Sequence, residues 1–139
     1  MKNFKSPTDA AVREDFPGGW TGDSLNKFLS VNRTAAENDY FNFVKKIANY
    51  RKQSEALMFG KLTQFEPVDG VYVYFRYHSI GKKVMVVVNQ KNTSKTIASS
   101  RFVEILGSAK YGKDIISDKT YNFESNISID AKSILIIEF

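Results

Sequence analysis

Between Gly70 and Asn89 the chain alternates apolar and polar positions and then stops alternating. In Gly70-Val-Tyr-Val-Tyr-Phe-Arg-Tyr77, Val71, Val73 and Phe75 share one face, and Tyr72, Tyr74 and Arg76 share the other. A short polar turn, His78-Ser-Ile-Gly81, follows. The next arm, Val84 to Val88, is apolar on both faces. Two runs rich in β-branched and aromatic residues around a glycine-containing turn predict a β-hairpin. A strand with no polar face belongs in the middle of a sheet, with layers above and below it.

The pattern on either side extends that prediction. A first strand is expected within Leu57–Phe65, with Gly60 as the break from a preceding helix and Glu66–Gly70 as a turn. Further short strands are expected at Thr96–Ala98, Phe102–Ile105, Lys113–Ile116, Thr120–Phe123, Ser125–Ile129 and Ser133–Phe139, with turn residues between them. Upstream the period changes. Asp23 is placed to cap a short helix over Ser24–Val31, with Leu25, Phe28 and Leu29 on one side. Thr34-Ala-Ala-Glu37 matches a capping box, and a long helix is predicted from Ala35 to Ser54. Its stripe is Tyr40, Phe43, Val44, Ile47, Ala48 and Arg51. The expected fold is mainly β: an antiparallel Greek-key β-sandwich of about 7–8 strands preceded by one short and one long α-helix. Little local structure precedes the long helix, so its stripe lacks an evident partner.

Composition narrows the function classes. With 42% hydrophobic and 14% aromatic residues among 139, the chain supports a packed core. There is no cysteine and only one histidine, so neither a disulfide, a thiol nucleophile nor a His/Cys metal site is expected. The net charge of +5 is spread along the chain rather than gathered in a stripe, so no nucleic-acid partner is expected. No apolar run approaches the roughly 18 residues of a membrane span. No signal-peptide pattern opens the chain, and localisation is left open.

Chemistry is sparse. There is no Gly-rich phosphate loop and no Ser-His-Asp arrangement. His78 sits in a turn, where a solvent-exposed side chain is expected; Asp69, Asp118 and Asp130 sit in turns, where aspartate caps the backbone. Glu14 and Asp15 are neighbours that point apart in an extended loop, not a facing carboxylate pair. No catalytic residue, metal ligand or cofactor is therefore expected. One stretch has neither helical nor strand period: Arg13-Glu-Asp-Phe-Pro-Gly-Gly-Trp20. Pro17 disfavours helix at Phe16, and Gly18-Gly19 allow a tight bend. Phe16 and Trp20 either plug a core or line a binding cleft.

That loop, followed by Gly22-Asp23, resembles a stretch near the end of the catalytic barrel in the alpha-amylase family of glycoside hydrolases, closest to its neopullulanase and cyclomaltodextrinase branch. The likeness continues through Phe41, Val44, Ile47 and Tyr50-Arg51-Lys52, which resemble the last barrel helix. It extends through Gly60-Lys-Leu-Thr63, Gly70–Arg76 and Val84–Asn89, which resemble the start of the C-terminal β-sandwich. The resemblance implies that residues 1–56 are the last loop and helix of a (β/α)8 barrel and 57–139 the C-terminal sandwich. It also implies a parent enzyme that cleaves α-1,4-glucosidic bonds by a retaining two-carboxylate mechanism. The family's catalytic acids match nothing in this chain, so the chain alone is expected to be inactive. The substrate-binding residues it implies are Arg13, Asp15, Phe16 and Trp20, on a βα-loop at the barrel's C-terminal face. The implied partners are the barrel of the parent chain and an α-glucan, with a homodimer through the exposed helix face. The alternative is a carbohydrate-binding or protein-interaction sandwich, with Tyr72, Tyr74 and Tyr77 as a stacking platform; cross-strand packing is the plainer reading of that row.

Overall fold

A computed structural model describes residues 16–139. Its contacts divide the chain into two units, one ending at Asn42 and the other running from Phe43 to Phe139. The boundary falls inside the long helix α1 (Ala35–Gln53).

The larger unit holds eight strands. β1 (Lys61–Val68), β2 (Val71–Tyr77), β3 (Val84–Asn89), β5 (Tyr111–Asp114), β6 (Thr120–Asn122) and β8 (Ser133–Glu138) form one sheet in the order β1-β2-β3-β8-β5-β6. β4 (Lys95–Ile97) and β7 (Ile127–Ile129) form a second, and every pair is antiparallel. β8 returns beside β5 over the β5–β6 hairpin while β7 crosses to the other sheet, which is the Greek-key return.

The expected hairpin is present, with Val71 opposite Asn89 and Arg76 opposite Val84. Asp69 and Gly70 both have positive φ, at 49° and 76°, as a primed two-residue turn between β1 and β2 requires. β3 lies between β2 and β8 and is buried on both sides, because the two layers predicted around it exist. On one face Val71, Val73, Phe75, Met85, Val87 and Ile137 pack with Ile127 and Ile129 of the small sheet and with Phe102 and Leu106. On the other, Val84, Val86 and Ile136 pack with Ala56 of α2 (Glu55–Met58) and with Ile47, Tyr50 and Leu57. Burying a valine- or phenylalanine-sized side chain contributes about 1.5–3 kcal/mol, so these two layers carry most of this unit's stability.

Polar contacts hold the end of α1 to the sheet. The Tyr50 hydroxyl donates to Glu138 Oε2 at 2.9 Å, and Lys46 Nζ donates to the Ile116 carbonyl at 2.9 Å. Burial, with the Glu138 carboxylate beside it, holds the Tyr50 hydroxyl well above the usual tyrosine range.

Three expectations need correction. Phe102–Ile105 is not a strand: a 3-10 turn over Ser99–Phe102 leads into α3 (Val103–Leu106). Phe102 and Leu106 lie one helical turn apart, and both are buried while Val103 faces solvent, so packing chose the helical period for this short run. Ser99 Oγ lies within hydrogen-bond reach of the Phe123 and Ser125 carbonyls, 2.7 and 2.5 Å away, anchoring the start of that turn. Second, the helix expected over Ser24–Val31 narrows to a 3-10 turn at Ser30–Asn32. Third, His78 is half-buried rather than fully exposed, and its Nδ1 accepts from the Ile80 backbone at 3.5 Å.

In the smaller unit the capping box forms as predicted. Thr34 N–H donates to Glu37 Oε2 at 2.7 Å, and Glu37 N–H donates to Thr34 Oγ1 at 3.3 Å. Lys27 also donates to Glu37 Oε2 at 2.6 Å, and this bond, followed by that from Thr34, lowers the Glu37 carboxyl to about 2.

Candidate functional site

Of the four residues implied to border a sugar site, Arg13 and Asp15 lie outside the described residues, while Phe16 and Trp20 stand on one loop. The loop is shaped by a single carboxylate. Asp23 Oδ2 accepts from the backbone N–H of Gly18 at 2.9 Å and of Trp20 at 3.2 Å. Asp23 therefore closes the loop before it rather than capping a helix after it, which is why no helix starts at Ser24. The Lys27 N–H donates back to the Pro17 carbonyl at 2.8 Å. Gly18 has φ +128°, and a Cβ there would meet Asn26 Oδ1 at 2.6 Å and Asn26 Cα at 2.9 Å. Only glycine fits both the backbone angle and the space.

The loop presents two rings. Phe16 stacks on Phe28 with centroids 4.8 Å apart and the planes tilted by 52°. Trp20 is 77% exposed. Neither ring fills a core. The sequence reading missed Asp23 as the brace and Phe28 as the partner of Phe16. The signal was an Asp three residues after Trp20 in a glycine-rich stretch, where an aspartate side chain satisfies backbone donors.

The tyrosine platform of the alternative reading is not a single surface. Tyr72 and Tyr74 share a face, their centroids 5.6 Å apart, and the Tyr72 hydroxyl donates to Gln64 Oε1 at 2.8 Å. Tyr77 packs against the opposite, inner core, with its hydroxyl 3.1 Å from Thr63 Oγ1. An odd step along a strand changes face, so Tyr77 cannot join the other two.

Elsewhere the acids brace backbone and lysines. Asp114 Oδ2 accepts from the Ser117 N–H at 2.8 Å, and Asp114 Oδ1 from the Ile136 N–H at 2.9 Å. Asp118 pairs with Lys113 at 2.7 Å and Lys46 at 3.3 Å, in that order the causes that lower its carboxyl. Asp69 pairs with Lys95, which lowers it likewise. Among the described residues no group of three His, Cys, Asp or Glu is placed to hold a metal ion, and no helix is long and apolar enough to cross a membrane. A shallow cavity of about 320 Å³ lies between α3 and the β5–β6 hairpin, lined in part by Val103, Leu106 and Phe123 and by the Lys110–Glu124 ion pair.

Solved structures share this fold. AmyP, crystallised with maltose, superposes with a TM-score of 0.67 at 17% identity, over 84% of this chain and 23% of its own. The alpha-amylase of Geobacillus thermoleovorans, complexed with acarbose, gives 0.62 at 17% identity over 87% of this chain and 26% of its own. The noncanonic maltogenic alpha-amylase AmyB of Thermotoga neapolitana gives 0.57 at 21% identity over 80% and 27%. This chain thus spans about a quarter of the length of each of these proteins. The family model described as the cyclo-malto-dextrinase C-terminal domain matches residues 62–138, from the second residue of β1 to the last of β8. The chain thus belongs to the cyclo-malto-dextrinase C-terminal domain family.

Proposed function

We propose that this chain is the non-catalytic C-terminal part of an α-glucan hydrolase, in which the sandwich steadies the catalytic barrel. In this reading residues 1–56 complete the barrel and 57–139 form the sandwich. The observation that carries it is the two-sided use of α1. Ile47 and Tyr50 pack on the sheet, while Tyr40, Phe41 and Val44 remain 73, 44 and 47% exposed. A helix apolar beyond the side its own sandwich covers is built to join that sandwich to another body. Phe16 and Trp20, with Arg13 and Asp15, then border the sugar subsites of the parent, whose α-1,4 cleavage relies on carboxylates supplied by the barrel.

The coding sequence just upstream of Met1 provides the test. An open frame encoding a barrel, whose product hydrolyses maltooligosaccharides only when this chain is present, supports the reading. The pure chain is expected to release no reducing sugar from maltooligosaccharides or pullulan. Release that is abolished by mutating the chain's own acids overturns it.

A further inference from the structure

The cavity between α3 and the β5–β6 hairpin has a chemistry of its own. Leu106 and Phe123, both nearly buried, form its floor, and the exposed side chain of Val103 flanks it. Lys110 Nζ and Glu124 Oε1 stand 3.0 Å apart in its lining, with both side chains more than half exposed. Ser100 and Ser108 add hydroxyls.

This lining selects its occupant. An exposed ion pair adds little to stability, so each partner is free to exchange the other for a ligand. Glu124 repels an anion that Lys110 attracts, and the reverse holds for a cation, so the occupant is neutral. The cavity is shallow: part of the occupant stays in water, while the floor requires an apolar surface against it. A sugar ring has both, with carbon-bound hydrogens on its face and hydroxyls around its edge. Each hydroxyl donates and accepts. Two neighbouring ring hydroxyls, spaced much as Nζ and Oε1 are, can therefore accept from Lys110 and donate to Glu124, and bonds to charged partners are the strong ones. The volume, about 320 Å³, is at the small end of ligand sites and suits one or two rings.

We infer that this cavity binds a neutral sugar, its apolar face on Val103, Leu106 and Phe123 and a pair of adjacent hydroxyls on Lys110 and Glu124. Every lining residue belongs to the Phe43–Phe139 unit. Leu106 of α3 packs into the inner core, whereas Ile47 and Tyr50 of α1 pack on the opposite face of the six-stranded sheet. A barrel joined through α1 thus leaves the cavity open, and the sugar site neither rests on the proposed function nor fails with it.

Amide spectra of the isotope-labelled full chain, titrated with maltose, provide the test. Saturable shifts are expected at Gly107, Ser108, Lys110 and Glu124. Lys110→Ala and Glu124→Ala change exposed side chains and so keep the fold, and each should weaken binding about tenfold. Inorganic phosphate at the same concentration should leave these amides in place. No saturable shift, shifts confined to the Trp20 loop, unchanged affinity in either variant, or an equal response to phosphate overturns the inference.

Discussion

Two apolar stretches meet different fates in this molecule. β3 and the middle of α1 are each rich in large apolar residues, yet Val84, Met85, Val86 and Val87 are all buried, whereas Tyr40, Phe41, Phe43 and Val44 are all exposed. Chemistry does not separate them. β3 sits between two strands and beneath two layers supplied by this chain, while α1 receives one layer, along the side of Ile47 and Tyr50. Hydrophobicity states a demand for burial, and the demand is met only where the same chain supplies the opposite surface.

The largest expected effect breaks that comparison most directly. Met85→Ala, in β3, should cost about 2–5 kcal/mol of unfolding free energy in a urea titration. Tyr40→Ala, measured at a dilution where the chain is monomeric, should stay within about 0.5 kcal/mol. Similar losses at both sites would mean that α1 is covered in solution by a surface of the same unit.

Gly112 sharpens the comparison from the sheet side. A Cβ there would meet Ile137 Cγ2 at 2.5 Å and Phe123 Cζ at 2.7 Å. Gly112→Ala should therefore cost about 1–3 kcal/mol through overpacking, read from a lowered thermal midpoint.

A smaller effect is expected at the start of α1, where local hydrogen bonds rather than burial hold the helix. Thr34→Ala removes the oxygen that accepts the Glu37 N–H. It should cost about 1 kcal/mol, seen as fraying of the helix N-terminus in amide exchange, with the protection of β3 unchanged.

The smallest effect is an acid titration. Glu37 is lowered to about 2 from an unfolded value of 4.5. The folded state thus binds this proton less readily, and the stabilisation is fully present above pH 4.5 and lost as pH falls toward 2. Asp69 and Asp118 are lowered too, so their contributions have the same sign. Far-UV circular dichroism should show helix loss below pH 4 in the native chain; Glu37→Gln, which cannot titrate, should begin with less helix at neutral pH and lose less of it on acidification.

Local patterns determined much of this protein. The alternation in β2, the two-sided apolar runs of β3 and β8 and the capping box at Thr34 and Glu37 are each carried by residues close together in sequence, whereas the turn expected over Glu66–Gly70 narrows to Asp69-Gly70 because β1 continues to Val68. Their periods depend on near neighbours, so they were legible before any packing was known. The lack of a partner for the stripe of α1 was also foreseeable, whereas the sequence left Trp20 open between a core plug and a cleft, and the structure exposes it. Tertiary structure decided what depended on distant partners. Phe102-Val-Glu-Ile105 suits a strand or a helix equally, and the core of β2, β3 and β7 selected the helix by taking Phe102 and Leu106 together. Asp23 suits a cap or a brace equally, and the backbone donors of Gly18 and Trp20 selected the brace. Burial and donor satisfaction are sums over contacts far apart in the chain, and a short run with two acceptable local conformations is settled by whichever sum is larger.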